Sequence, residues 1–409
     1  MENRNIPFSP PDMSELEVQE VAEALRSGWI TTGPRTKKLE KLLAEYMHVN
    51  KCVCLNSATA AEELNLRILG IGEGDEVLVP AYTYTSSAAA AIHVGATVKF
   101  IDSQKDSVEM DYDQMEVAIT EKTKAIIPVD LAGIICDYDR IYQAINNKKH
   151  LFKPSGNTEL GNRIQTAMGR IAVVADCAHA LGSERKGKMA GEIADFSSFS
   201  FHAVKNLTTA EGGAAAWKTI PGIDDEEIYK WFQLYSLHGQ SKDALAKTQL
   251  GAWEYDVVAP LYKCNMTDIM AAMGLKQLER YEGMLQRRKG IISRYDAVCD
   301  EIGVLHLNHY GPEHNSCGHL YIARIPWATD EQRRDIIIKM AERGIACNVH
   351  YKPLPMMTAY KAYGWDIKDF PNAYALYENE ITLPLHTKLT DEDVEYVLTC
   401  FKEIVQMTK

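Results

Sequence analysis

The sequence predicts an α/β fold built on a mostly parallel sheet, and three observations carry that prediction. Short runs that are apolar at every position recur along the chain, the pattern of strands buried on both faces. These runs alternate with helix-patterned segments over the first 255 residues, as βαβ construction requires. Beyond about residue 255 the texture changes to longer helical patterns with fewer strands. We therefore expect a large domain over 1–255 and a smaller C-terminal α+β domain over 256–409.

Taken in order, residues 14 to 26 place Leu16, Val18, Val21, Ala22 and Leu25 near helical spacing, and Gly28 can end that helix. Leu39, Leu42, Leu43 and Tyr46 repeat the signal. Gly-Asp-Glu-Val-Leu-Val-Pro (74–80) is a β-branched run bounded by Gly and Pro. Residues 96–101, 125–129 and 171–175 are similar runs. Segment 137–169 is polar and rich in Lys and Asn, and reads as a helix followed by an exposed excursion. Residues 269–294 carry one long helical pattern.

Composition excludes several classes. Of 409 residues, 46% are hydrophobic and 24% charged, the proportions of a globular protein rather than a disordered or collagenous chain. The net charge of −12 argues against a general nucleic-acid binder, whose affinity comes from clustered Lys and Arg. Nine scattered cysteines give one close C-x-C pair, Cys52 and Cys54, a poor zinc signal. The start of the chain has no apolar signal core, and no stretch approaches the roughly 18 to 20 apolar residues that span a bilayer. A reduced, cytoplasmic enzyme without a membrane segment is expected.

Four segments bear chemistry. In DFSSFSFHAVKNLTTAEGG (195–213), Lys205 follows an aromatic, largely apolar stretch. Burial lowers a lysine pKa from about 10.4 and makes the amine a nucleophile and Schiff-base former. The bland alternative is a strand-end lysine with its amine in water. IAVVADCAHA (171–180) ends a buried-strand pattern in Asp176, where a carboxylate can hold a protonated ring nitrogen or merely cap a helix. In CLNSATAAEELNLRIL (54–69), the turn Asn56-Ser57-Ala58-Thr59 leads into a helix, an ordinary cap or a phosphate cradle. In PAYTYTSSAAAA (80–91), Tyr84 is either a core aromatic or a face beneath a cofactor ring.

Together, in this order, these segments resemble the DegT/DnrJ/EryC1/StrS nucleotide-sugar aminotransferases. The resemblance spans nearly the whole chain and includes SGWITTGPR (27–35), NSATAA (56–61), GDEVLVPAYTY (74–84), DCAHALG (176–182), SFHAVKNLTTAEGG (200–213), YKCNMTDIMAAMGLKQL (262–278) and ITLPLHTKLTDEDV (381–394). SGWITTGP, SFHAVKN and YKCNMTDI look most like the branch that aminates a UDP-linked 4-keto pentose. The resemblance implies the pyridoxal-phosphate-dependent transferase fold of type I, a mostly parallel sheet sandwiched by helices. It also implies pyridoxal 5'-phosphate as cofactor, a nucleotide keto sugar and an amino-acid donor such as glutamate as substrates, and a homodimer with shared sites.

By the same resemblance, Lys205 carries the Schiff base and Asp176 pairs with the pyridine nitrogen. Tyr84 stacks on the ring, Ala58 and Thr59 contact the phosphate, and Ser200 adds a hydroxyl. His179 lies near the ring hydroxyl. Lys263 reaches the phosphate from the other subunit, where a cation makes a charge-assisted bond. Departures from the family pattern are Ala175 before the ring-pairing acid, Pro355 in HYKPLPMM (350–357), and the polar segment 137–169. The first is harmless, and the other two bear on sugar recognition more than on amino transfer.

Other readings remain at this stage: a dehydratase relative with His in place of the Schiff-base lysine (His202 is three residues before Lys205), a regulatory or non-transaminating protein of the same fold, a 3-keto-sugar or keto-cyclitol aminotransferase, and a nicotinamide enzyme. The last rests on residues 70–74, which lack the full G-x-G-x-x-G and precede a strand rather than follow one. HLNHYGPEHNSCGH (306–319) matches no standard zinc spacing, so no metal is expected and its histidines read as exposed or at a site rim. Arg287, Arg288 and Lys289 read as a solvated helix face.

Overall fold

The computed structural model describes residues 4–242 and 254–408. Its largest sheet has seven strands: β1 (Cys52–Leu55), β2 (Glu76–Pro80), β3 (Thr97–Ile101), β4 (Thr123–Ile126), β5 (Ala172–Asp176), β6 (Phe196–Ser200) and β7 (Gly213–Trp217). Their order is β1-β7-β6-β5-β4-β2-β3. Strands β3, β2, β4, β5 and β6 run parallel, and β7 alone runs antiparallel to its neighbours β6 and β1. This is the mostly parallel α/β sheet expected from the sequence.

Both faces of the sheet are covered, which explains the uninterrupted apolar runs. Along β5, Ala172 and Val174 join one buried cluster while Val173 and Ala175 join another on the opposite face. Along β2, Val77 and Val79 face the first cluster and Leu78 the second. A third cluster includes Ile291, Tyr295, Tyr321, Ile381 and Phe401 and takes in Ile6 from the start of the chain. It surrounds a three-stranded antiparallel sheet of β8 (Leu305–His306), β9 (Tyr321–Arg324) and β10 (Glu380–Leu383).

Helix α1 (Glu15–Arg26) has a capping box between Ser14 and Glu17, and Gly28 follows it at φ +73°. Helix α2 (Pro34–Tyr46) opens on Pro34, whose missing N–H costs nothing at a first turn. Helices α3 (Ala58–Ile68) and α4 (Thr85–His93) follow β1 and β2 and pack on one face of the sheet.

Three readings need correction. The 269–294 pattern is two helices, Asp268–Glu279 and Tyr281–Ile302, broken at Arg280. That residue leaves helical geometry while its guanidinium reaches Glu17 at 2.7 Å and Asp12 at 3.1 Å. Segment 137–169 is not an exposed excursion in its second half. The helix Glu159–Met168 buries Leu160 and Ile164, and Gln165 donates to the Leu69 carbonyl at 2.8 Å. Gly161 makes this docking achievable, since a Cβ there would lie 2.5 Å from the Gly70 nitrogen.

The basic triplet is not a uniformly solvated face either. Arg288 is 4% exposed and donates to the carbonyls of Gly318, His319 and Leu385, while Arg287 pairs with Asp391. No helix among the described residues is long and apolar enough to cross a membrane.

Candidate active site

In parallel sheets, side chains and helix N-termini converge at the carboxyl ends of the strands. Here the ends of β5 and β6 and the starts of α3 and α4 enclose a cavity of about 400 Å³. It gathers Ala58, Thr59, Tyr84, Asp176, His179, Ser200 and Lys205, residues spread over nearly 150 positions of sequence.

The turn before α3 is built for an anion. Ser57 is extended, and its Oγ accepts from the Ala60 N–H at 3.1 Å. The N–H groups of Ala58 and Thr59 have no carbonyl partner inside the helix, and both residues line the cavity. Strand β7 can pass this turn only because residue 213 is glycine. A Cβ there would sit 2.3 Å from the Ser57 carbonyl carbon and 2.4 Å from the Ala58 nitrogen.

Asp176 ends β5 and is 3% exposed. It accepts from Ser87 Oγ at 2.8 Å and from the Ala178 N–H at 3.0 Å. Burial pushes its pKa up, while these two bonds and the charge of Lys205 oppose that rise. Lys205 follows β6 in a turn closed by its own N–H on the His202 carbonyl at 2.9 Å. Burial pulls its amine down to about 8, against the opposing influence of Asp176 and Cys317. This amine is therefore partly neutral near physiological pH, unlike a strand-end lysine in water.

His179 is neutral, its pKa held well below 6.5 by burial and by the charge of Lys205. The Ala132 N–H donates to its Nδ1 at 3.2 Å, so the ring proton is on Nε2, 3.2 Å from the Tyr351 hydroxyl. Tyr84 stands at the N-cap of α4 with 58% of its surface open, which excludes the core-aromatic reading. Ser200 lies at the end of β6 on the cavity wall.

Lys263 stands apart from this cavity. Its side chain is exposed and its Nζ bonds Asn265 Oδ1. His319, from the segment read as exposed or at a site rim, lines the cavity, and sequence reasoning missed further neighbours: Phe8, Ser9, His350 and Tyr351 line it too, and Ser87 anchors Asp176. Ser87 lay inside the Tyr84 segment and needed only the helical spacing from Tyr84 to be found; the others come from distant chain segments.

The histidines of 306–319 are partly buried rather than all exposed. His309 is 1% exposed, and burial pushes its pKa down to about 3. His319 is 5% exposed and its ring lies 4.3 Å from that of His179. Among the described residues, no group of three or more His, Cys, Asp or Glu is placed to hold a metal ion.

The donor set fits pyridoxal phosphate. Asp176 is a buried carboxylate whose hydrogen-bond donors are a hydroxyl and an N–H, and a protonated ring nitrogen would complete it. Unpaired N–H groups, an open aromatic face and a lysine of lowered pKa supply the remaining contacts.

Comparison with known proteins agrees with this geometry. The profile of the DegT/DnrJ/EryC1/StrS aminotransferase family matches residues 11–152 and 162–402, leaving 153–161 between the two blocks. The chain is 36% identical to the spore coat polysaccharide biosynthesis protein SpsC of Bacillus subtilis, over 99% of this chain and 98% of SpsC. It is 35% identical to the UDP-4-amino-4-deoxy-L-arabinose–oxoglutarate aminotransferase of Shewanella sediminis, over 99% of each chain. Among solved structures it superimposes on Spr1654 of Streptococcus pneumoniae, assigned as a sugar aminotransferase and solved in PMP-form, with a TM-score of 0.95 and 58% identity. That match covers 99% of this chain and 100% of Spr1654, and a PLP-form of the same protein gives a TM-score of 0.94. With a lysine, an acid, an aromatic and an anion-binding helix end meeting in one cavity, the chain belongs to the DegT/DnrJ/EryC1/StrS family and is a pyridoxal-phosphate-dependent sugar aminotransferase.

Proposed function

We propose that the enzyme moves an amino group from an amino-acid donor, L-glutamate, to the keto group of a nucleotide-linked sugar. The acceptor is a UDP- or dTDP-4-keto sugar, and the product serves amino-sugar and cell-surface glycan synthesis in the cytoplasm. The observation that carries this is that one cavity is lined by buried Lys205 with its lowered pKa, by buried Asp176 and by the N-terminus of α3. The name of the Shewanella relative supports a UDP-sugar and an oxoglutarate-linked donor, and that of the Bacillus relative supports a place in polysaccharide synthesis.

Pyridoxal phosphate, when bound, supplies an aldehyde that condenses with amines and a ring that takes up electrons released at the donor α-carbon. Asp176 would hold the ring nitrogen protonated, and Ala58, Thr59 and Ser200 would bind the phosphate. Tyr84 would cover one ring face, and His179 would lie near the ring hydroxyl. With the cofactor bound, Lys205 as a neutral amine would take the proton from the donor α-carbon and deliver it to the cofactor carbon that receives the amino group, and the same transfers in reverse would aminate the sugar. We also propose a homodimer in which Lys263 reaches the partner's phosphate, and a division at 255/256 into cofactor and C-terminal domains.

Single turnover tests the acceptor. The enzyme aminated by glutamate is mixed with a panel of nucleotide keto sugars, and return of the original cofactor absorbance identifies the substrate. Failure of every keto sugar, with the glutamate half-reaction intact, would redirect the assignment to a keto cyclitol. Lys205→Ala is expected to lose both half-reactions; substantial steady-state turnover in that variant would exclude Lys205 from its role.

A further inference from the structure

Strand β10 carries Glu380 and Thr382 two residues apart, hence on one face, and both are 0% exposed. An antiparallel bridge between Asn348 and Thr382 lays the segment leading to His350 alongside. The His350 backbone N–H donates to Glu380 Oε2 at 3.0 Å, and Thr382 Oγ1 shares a short hydrogen bond with Glu380 Oε1. The same Oγ1 lies 2.9 Å from His350 Nδ1. Tyr82 donates to the His350 carbonyl at 2.6 Å, and Phe8 stacks on the imidazole at 5.5 Å and 20°.

The ring is thus fixed in place and lines the substrate cavity. Nδ1 is engaged, and Nε2 has no hydrogen-bond partner among the described residues. Burial and the charge of Lys205 push the His350 pKa down to about 3, so the imidazole is neutral, with one N–H and one lone pair. Which of the two faces the cavity depends on what Thr382 offers to Nδ1.

We propose that Glu380 and Thr382 are positioning residues that set the tautomer of His350, and through it the hydrogen-bonding polarity the cavity offers to substrate. When Glu380 is protonated, Oε1–H donates to Thr382 Oγ1, whose own hydrogen turns to Nδ1. The ring proton is then on Nε2 and points a donor into the cavity. When Glu380 is ionised, the Thr382 hydroxyl donates to Oε1, Oγ1 accepts Nδ1–H, and Nε2 presents a lone pair. Passing from the first state to the second releases one proton to solvent and moves the ring hydrogen between nitrogens by exchange with water.

The groups around Glu380 set where this happens. Burial raises its carboxyl to about 8, and Arg333 opposes the rise. Arg324 is its cross-strand neighbour on β9, with its guanidinium engaged by Asp106 and Asn379. Tyr82, Tyr351 and Cys347 also feel its charge, and all three titrate above their ordinary values, so they stay neutral. At pH 7 the donor form outweighs the acceptor form by roughly ten to one. The group recognised is therefore an oxygen with a lone pair: a carboxylate of the amino donor or an oxygen of the sugar.

The test separates these sources, and it rests on the amino-transfer reading only in its kinetic arm. In holoenzyme with ¹⁵N-labelled histidine, imidazole shifts report the tautomer at pH 7 and pH 9. Glu380→Gln imitates the protonated acid, since its carbonyl takes the His350 N–H and its amide donates to Thr382. Thr382→Val cuts the link, and Thr382→Ser keeps it. We expect the His350 tautomer to invert between pH 7 and 9 in wild type and Thr382→Ser, and to remain Nε2–H in Glu380→Gln.

Substrate Kd for one half-reaction, glutamate or keto sugar, should rise about tenfold over that range in wild type and Thr382→Ser. It should change less than twofold in Glu380→Gln and in Thr382→Val, where no hydroxyl couples the ring to the carboxyl. At each pH the bound-cofactor absorbance should be the same in all four proteins. A wild-type pH step retained in Glu380→Gln, or one tautomer shared by all four proteins, would overturn the proposal. If Glu380→Gln fails to fold, the Thr382→Ser and Thr382→Val pair decides alone. Tautomer inversion without either half-reaction would sink the amino-transfer reading and leave the relay standing.

Discussion

Ser87→Ala removes one of the two hydrogen bonds that hold Asp176, and its consequence can be worked from the geometry. The Ser87 Oγ–Asp176 Oδ2 distance is 2.8 Å and both residues are buried, leaving the Ala178 N–H at 3.0 Å and the charge of Lys205 to support the carboxylate. A hydrogen bond to a buried charge contributes about 1.5–3 kcal/mol, and one pKa unit is about 1.4 kcal/mol. The Asp176 carboxyl should therefore rise by about one to two units. A carboxyl less willing to ionise is a poorer partner for a protonated ring nitrogen. Pyridoxal-phosphate affinity, read by absorbance titration of the cofactor-free enzyme at pH 7, should weaken about tenfold or more. The loss should be larger at pH 6 than at pH 8, because the higher pH restores the ionised form. Equal affinity to wild type across pH 6–8, in a protein of unchanged fold, would refute the assignment of Ser87 as the support of Asp176.

Lys205 should cost the cofactor-free protein stability. Its pKa falls from 10.5 to about 8 on folding, so the folded state is favoured above pH 10.5 and that advantage is lost as pH falls through 8. Lys205→Met should accordingly raise cofactor-free stability at pH 7 by about 1–3 kcal/mol, with the gain fading toward pH 10; urea unfolding at both pH values checks this. Gly161→Val places a side chain against the Gly70 backbone and should destabilise by about 1–3 kcal/mol, with no change in m-value. Arg288→Ala strands three carbonyls and should cost about 2–4 kcal/mol in thermal or urea unfolding, whereas Lys289→Ala, one residue on, should stay within about 0.5 kcal/mol.

The large sheet was legible in part because both of its faces are covered: residues 77–80 of β2 and 172–175 of β5 are unbroken apolar runs, whereas edge strand β3 is interrupted by Thr97 and Lys99. Strand β1 is four residues long, too short for periodicity to register, and β7 is Gly-Ala-Ala-Ala-Trp, whose alanines favour helix. Its strand state comes from pairing on both sides, with β6 and β1. Lys205, Asp176 and the 56–59 turn were readable because each carries its chemistry next to a strand or helix boundary. Phe8, His350 and Tyr351 were not, because nothing local distinguishes a cavity-lining aromatic or histidine from a core one.

The sequence alone determined the alternation of strands and helices, the lysine, the acid and the capped turn, since these depend on neighbours within a few residues. Tertiary structure decided the rest. It buried Arg288 and His309 on segments that read as solvated, docked the helix Glu159–Met168 through Gly161, and broke the long helix at Arg280. It also brought Glu380, Thr382 and His350 into one hydrogen-bonded line across more than 30 positions. Burial and pairing are properties of the packed chain, and they fix the protonation of Lys205, Asp176 and Glu380, on which the chemistry depends.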